Sequence, residues 1–296
     1  MKWQIKVRKD PAPFLARVII TGKKWDANPE EAKKLLMHIC EKRPTDKKVK
    51  FLMTCGGFIQ FDWPESVSDV GNNKYPNKKA LEELVAKAKE CAIFILRDGL
   101  DKKLRKFTDY ITLGIDSFMA EDNLSRPHIE FVLLVNLENY KIYWTGKSYP
   151  TSNQQKGLIR IPDLETHFLN LKDSGKIMIL GCHDLKMFDP RHYKRENLCD
   201  WRKNTIKKFH ERAKKERPSI VLHHPHETDC VEGAKITDRK YSPGTWDRAW
   251  RDLNKIVPTV EKYAGAGRYY KCEGERSQLS EVLEKTKSGD TIDFIV

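Results

Sequence analysis

The sequence predicts an α/β fold on three observations: short β-branched apolar runs recur, amphipathic helical stretches separate them, and glycine and proline mark the junctions. At 296 residues, 39% hydrophobic and 33% charged, the chain has the profile of a folded globular protein able to bury a sizeable core. No internal repeat and no linker divides it. Residues 1–15, with Pro11 and Pro13, read as an N-terminal arm, and residues 16–296 as a single domain.

Ala16 to Thr21 is the first strand. Asn28-Pro29-Glu30-Glu31 is a helix start, with a capping asparagine, proline at the first helical position and acids in the first turn; Ala32, Leu35, Leu36 and Ile39 share one face. Val49 to Met53 is a second buried strand, and Thr54-Cys55-Gly56-Gly57 ends it with two glycines that permit close backbone approach. A long loop, Gln60 to Pro76, precedes a helix over Lys78 to Glu90 and a strand over Ala92 to Leu96. Tyr110 to Leu113 and Glu130 to Leu137 are strand-like. Lys141 to Trp144 pairs with the latter as a hairpin across Glu138-Asn139-Tyr140, giving the sheet antiparallel edges and placing Lys147 just past a strand end.

After the short segment Asp163 to Leu171, Ile177 to Leu180 is a buried strand that Gly181-Cys182 breaks at its carboxyl end. Trp201 to Lys215 is a basic helix with Ile206, Phe209 and Ala213 on its apolar side. Ser219 to Leu222 is a strand delivering His223-His224-Pro225-His226, and Thr245 to Val257 is a helix with Trp246, Ala249, Trp250, Leu253 and Ile256 inward. A glycine-punctuated turn at Ala264 to Gly267, a strand at Arg268 to Lys271, a helix from Ser277 and a strand at Thr291 to Val296 complete the pattern.

No run approaches the 18 apolar residues of a membrane span, and Met1 to Asp10 lacks an apolar signal core, so a cytoplasmic location is expected. Seven cysteines, an odd number with no C-x-x-C pair, read as reduced thiols. The formal net charge of +13 is compatible with nucleic acid, an acidic partner or an anionic substrate. The lysines are spread through the chain without aromatic interleaving, which favours a solvated basic surface.

The carboxyl end of a strand is where α/β sheets place chemistry. Cys182 stands there with His183, Asp184 and Arg191 around it, a shell able to turn a thiol into a nucleophile, although a buried cysteine is as readily core filler. Cys55 is either a small residue below the pocket or a second thiol facing Cys182. The group His223, His224, His226, Glu227, Asp229 and Cys230 offers metal-ligand side chains, but its spacing matches no zinc signature and adjacent strand histidines point to opposite faces. No metal and no cofactor are therefore expected. Trp246 and Trp250, four residues apart, read as core.

Leu180-Gly181-Cys182-His183-Asp184, followed by Phe188-Asp189-Pro190-Arg191, resembles the Gly-x-x-x-Cys-Tyr-Asp and Phe-Pro-Glu stretch of the carbon-nitrogen hydrolase (nitrilase) superfamily. Tyr143-Trp144-Thr145-Gly146-Lys147-Ser148-Tyr149-Pro150 falls where that family has Arg-Lys-x-x-x-Pro, and the order of elements from residue 16 to 260 is similar. The resemblance implies a nitrilase-like four-layer α-β-β-α sandwich with mixed sheets and hydrolysis of a small-molecule amide or nitrile. In it Cys182 is the nucleophile and Lys147 stabilises the oxyanion. His183, Asp184 and Cys55 lie at the substrate, the strand end carrying His224 and His226 borders the pocket, and a homodimer is expected.

Two departures stand out. The family's general-base glutamate closes the second strand, where this chain has Thr54-Cys55-Gly56-Gly57, and the second glutamate after the lysine is also absent, since Thr151 to Gln155 offers only hydroxyls and amides. Asp62 or Glu65 from the loop, or His183 beside the nucleophile, are the candidate replacements. Two other readings stay open: a catalytically degenerate binding module, and a basic nucleic-acid-directed protein using the helix Trp201 to Lys215 and the histidine cluster.

Overall fold

The computed structural model describes residues 3–9, 14–22, 25–44, 48–72, 75–120, 125–150, 156–195, 197–226, 243–269 and 279–296. In chain order the elements are β1 (Lys6–Lys9), β2 (Leu15–Thr21), α1 (Pro29–Lys42), β3 (Val49–Met53), β4 (Ile59–Gln60), β5 (Gly71–Asn72), β6 (Tyr75–Pro76), α2 (Lys78–Leu96) and α3 (Leu100–Arg105). Then come β7 (Thr108–Phe118), β8 (His128–Asn136), β9 (Ile142–Gly146), β10 (Phe168–Leu171), β11 (Gly175–Gly181), α4 (Pro190–Tyr193) and α5 (Asp200–Glu216). The last are β12 (Ile220–His224), α6 (Pro243–Ile256), β13 (Lys262–Gly265), β14 (Arg268–Tyr269), α7 (Leu279–Lys285) and β15 (Thr291–Ile295).

Two mixed sheets face each other. The larger runs β1-β15-β2-β3-β7-β8-β9, parallel from β15 to β7 and antiparallel at both ends. The smaller runs β10-β11-β12-β13, with only β10 antiparallel. Leu15, Phe51, Met53, Tyr110, Val132 and Leu134 of the first sheet pack on Ile177, Ile179, Ile220 and Leu222 of the second. The opposite face of the large sheet is covered by α1, α2 and α3, and that of the small sheet by α5 and α6. The result is the expected four-layer α-β-β-α sandwich. It follows from residue alternation: the central strands carry apolar side chains on both faces, so each sheet must be covered twice.

The helix start at Asn28 is as the sequence implies, with its side-chain oxygen accepting from the N–H groups of Glu30 and Glu31. The strand expected over Ala92 to Leu96 is instead the last turns of α2. Ala88, Ala92 and Ile95 continue the buried stripe of Leu84 and Val85 at helical spacing, and a short apolar run does not by itself distinguish strand from buried helix. The N-terminal arm is not a bare lead-in, because β1 pairs antiparallel with β15. The glycine-punctuated turn after Ala264 carries the chain from β13 in the small sheet to β14, which pairs with β2 of the large one. Among the described residues no helix is long and apolar enough to cross a membrane.

Candidate active site

The hairpin register builds half of the site. Val135 pairs with Ile142 and Phe131 with Gly146, which brings Lys147 alongside Glu130, whose carbonyl accepts from the Lys147 backbone N–H at 3.0 Å. On its other flank Glu130 is the direct partner of Asp116 on β7. Strand side chains alternate faces; Val132 and Leu134 point between the sheets, so Glu130 does too. Asp116, Glu130 and Lys147 thus form a charged row across three strands at one end of the inter-sheet layer, each at most 7% exposed. Lys147 Nζ donates to both Glu130 carboxylate oxygens, at 2.8 and 2.7 Å.

The small sheet supplies the other half. Cys182 follows β11 and His226 lies two residues past β12. The His226 backbone N–H donates to Cys182 Sγ at 3.4 Å. Its ring Nε2 is 2.6 Å from Asp116 Oδ2, and its Nδ1 is 3.6 Å from Glu130 Oε2. Backbone contacts fix the two strand ends to each other: Gly56 N–H donates to the Pro225 carbonyl at 3.0 Å, and His224 Nδ1 donates to the Thr54 carbonyl at 2.8 Å.

Gly56 and Gly57 are where this docking needs glycine. A Cβ on Gly56 would stand 2.7 Å from the His224 carbonyl oxygen and 3.0 Å from His226 Nδ1. One on Gly57, whose φ is +60°, would meet Asp116 Oδ2 and His226 Cδ2, each at 2.9 Å. The His226 ring therefore fills the space that a side chain from this strand end would take.

Asp184, expected at the substrate, is fully buried and engaged by backbone donors. Its Oδ1 accepts from the N–H groups of Ser148 and Tyr149 at 3.0 and 2.8 Å, and its Oδ2 from Gly181 N–H at 2.9 Å. It clamps the Lys147 strand end to the Cys182 turn. Cys55 lies in the core on the helix side of the large sheet, not facing Cys182. His223 Nε2 donates to the Cys182 carbonyl at 2.9 Å, and His224 is buried against Thr54, so of the strand-end histidines only His226 borders the open pocket. His183 is half-buried beside Cys182, with its imidazole held neutral by burial and by the Lys147 charge. Asp62 and Glu65 are exposed, and among the described contacts neither carboxylate is joined to the cluster by a hydrogen bond or an ion pair. Glu227, Asp229 and Cys230, the amide segment Thr151 to Gln155, Cys272, Ser277 and the Trp246 side chain lie outside the described residues. Among the described residues no group of three His, Cys, Asp or Glu converges to hold a metal ion.

The electrostatics separate Cys182 from the thiols of Cys40, Cys55 and Cys91. Burial pushes Cys40 and Cys91 up to about 11 and Cys55 up to about 12. Burial also acts on Cys182, but the Lys147 charge and the hydrogen bond and charge of His226 outweigh it, and this thiol is lowered. Burial disfavours the His226 imidazolium, yet Asp116 and Glu130 hold it well above the usual histidine range. Glu130 is held down by Lys147 and His226 against the same desolvation. A cavity of about 400 Å³ opens beside this cluster, lined by Trp25, Asp26, Ala27, Gly57, Gln60, Asp116, Phe118, His226 and Arg268.

No family model matches the chain, and no curated protein matches it. Solved structures do align with it. A carbon-nitrogen hydrolase from Helicobacter pylori G27 aligns over 93% of this chain and 78% of its own, at 11% identity and a TM-score of 0.49. A variant of the Nesterenkonia AN1 amidase, from the nitrilase superfamily, covers 90% and 80% at 11% identity and a TM-score of 0.46. An amidase from Nesterenkonia sp. covers 88% and 78% at 13% identity and a TM-score of 0.44. These likenesses are distant.

Glu130 and Asp116 are the site residues that sequence reasoning missed. A signal for them existed: a charged residue at an alternating position facing an otherwise apolar layer, on a strand whose hairpin partner ends in Lys147.

Proposed function

We propose that the chain is a cysteine-dependent hydrolase of carbon–nitrogen bonds in a small amide or nitrile. The observation that supports it is the state of Cys182, the described thiol whose burial is overridden by adjacent positive charge, beside a lysine fixed by a buried carboxylate. In this reading Cys182 Sγ attacks the carbonyl or nitrile carbon to give a thioester or thioimidate, which water releases. Lys147 stabilises charge developing on the substrate heteroatom. Glu130 holds Lys147 in place, with two bonds that leave the ammonium little freedom. The cavity volume suits a small substrate and falls at the low end for ligand pockets.

The test is to incubate the protein and its Cys182→Ala variant with a panel of small amides and nitriles, following ammonia release and the intact mass. Ammonia release and an acyl adduct on Cys182, both lost in the variant, support the proposal. No turnover and no adduct across the panel would turn attention to the second reading, a ligand-binding module. One observation favours that alternative: Asp116 and His226 border the cavity, whereas Cys182 lies behind them at 8% exposure. It predicts binding that Cys182→Ala leaves unchanged.

A further inference from the structure

Thiol-mediated amide cleavage needs a group that gives a proton to the leaving amine and later takes one from water. The strand end Thr54-Cys55-Gly56-Gly57 carries no acid that could do this. Within the cluster, Glu130 has both oxygens engaged by Lys147, and Asp116 is tied to His226 Nε2 through Oδ2, its Oδ1 being buried without a hydrogen-bond partner. The ring nitrogen left facing the charged row is His226 Nδ1, and the ring sits in the space that Gly56 and Gly57 leave by having no side chains. We infer that His226, oriented by Asp116, is the proton-transfer residue of this site. The inference rests on the hydrolase reading above.

The steps balance. The Cys182 thiolate attacks the amide carbon, forming the S–C bond while the C=O pair moves to oxygen beside Lys147. His226, as imidazolium, gives its Nδ1 proton to the amide nitrogen; the C–N bond breaks, the amine leaves, and C=O re-forms as a thioester. Neutral His226 then takes a proton from water as the hydroxide adds to the thioester. The S–C bond breaks, the acid departs, and thiolate and imidazolium are restored. Asp116 is a positioning residue, since its bond to Nε2 fixes which nitrogen faces the reaction. Asp116 on β7, Glu130 on β8 and Cys182 after β11 act on the imidazole's charge, and the other titratable groups around the ring are Lys147 after β9, His183 after β11, and Arg268 of β14, which lines the same cavity.

The experiment reads iodoacetamide alkylation of Cys182 by peptide mass from pH 5 to 10 in the native protein, His226→Gln, His226→Ala with and without added imidazole, and Lys147→Met. His226→Gln keeps the backbone N–H to Sγ, so any change reports on the ring. The expected result is a fall of about tenfold or more in the rate at pH 6 in His226→Gln, with convergence on the native rate at pH 10, where thiolate forms without help. Imidazole restores part of the pH 6 rate in His226→Ala. If His226→Gln leaves the profile unchanged while Lys147→Met shifts it, the inference is overturned and the hydrolase reading stands. If neither variant shifts it, both fall. Should the His226 variants not fold, the His226 ring is titrated by NMR in the native protein and in Cys182→Ser. A lower midpoint without the thiol supports the thiolate–imidazolium pair, and an unchanged one overturns it.

Discussion

Replacing Glu130 by leucine tests how far the charged row is held by its own ion pair. Glu130 and Lys147 side chains are 7% and 0% exposed and joined by two short hydrogen bonds. Glu130→Leu keeps the volume roughly constant but leaves the Lys147 ammonium in the inter-sheet layer without its carboxylate. Breaking one side of a buried pair costs about 3–5 kcal/mol. For a chain of this size that is a loss of about 6–10 °C in Tm, taking ~2 °C per kcal/mol. Glu130→Leu/Lys147→Met removes both charges, and apolar replacements of whole pairs are neutral or stabilising, so the double variant recovers most of the loss. The pH dependence has a definite sign. The Glu130 carboxyl is held below its unfolded value of ~4.3 because Lys147 and His226 outweigh its burial. Its contribution is therefore present above pH ~4.3 and disappears as pH falls through the lower folded value. Urea unfolding of the four proteins in a double-mutant cycle, at pH 7 and at pH 4 and below, measures this. A single-variant cost under about 1 kcal/mol, or additive losses in the double variant, refutes the claim that this pair is a desolvated, mutually dependent unit.

Three further outcomes are expected. At neutral pH Cys182 is alkylated well before Cys40, Cys91 and Cys55, whose thiols burial pushes to about 11, 11 and 12; simultaneous labelling in native protein contradicts the site. Gly114→Ala is expected to be insoluble or destabilised by more than ~3 kcal/mol, because a Cβ there stands 2.0 Å from the Cys55 carbonyl oxygen and 2.7 Å from Gly56 Cα; near-native thermal unfolding rules out this close crossing. Burial holds His223 near 3 and His224 near 4, below the unfolded ~6.5. Each therefore favours the fold above pH ~6.5 and loses up to ~1.4 kcal/mol of that contribution per unit as pH falls toward its folded value. His224→Asn should flatten the acid limb of the stability curve, and an unchanged slope shows that the histidine does not contribute.

The sequence by itself determined the layers and one partner in each half of the site. Apolar runs at Ile177 to Leu180 and Val49 to Met53, and capping at Asn28, are local signals, because hydrophobic period and turn chemistry act over a few residues. Cys182 and Lys147 were legible for the same reason: each stands at a break just beyond a strand. The end of α2 was misread as a strand because an apolar run of five residues carries no period of its own. Tertiary structure alone decided which charges meet. Glu130 and Asp116 become site residues only when strand register lines them up beside Lys147, and His226 reaches them only because the facing sheets bring the chain after β3 and the chain after β12 together at Gly56 and Pro225. The same docking gives Asp184 its contacts as a backbone clamp between the two strand ends. Register and docking are set by contacts between residues tens to more than a hundred positions apart, and no local pattern encodes those pairings.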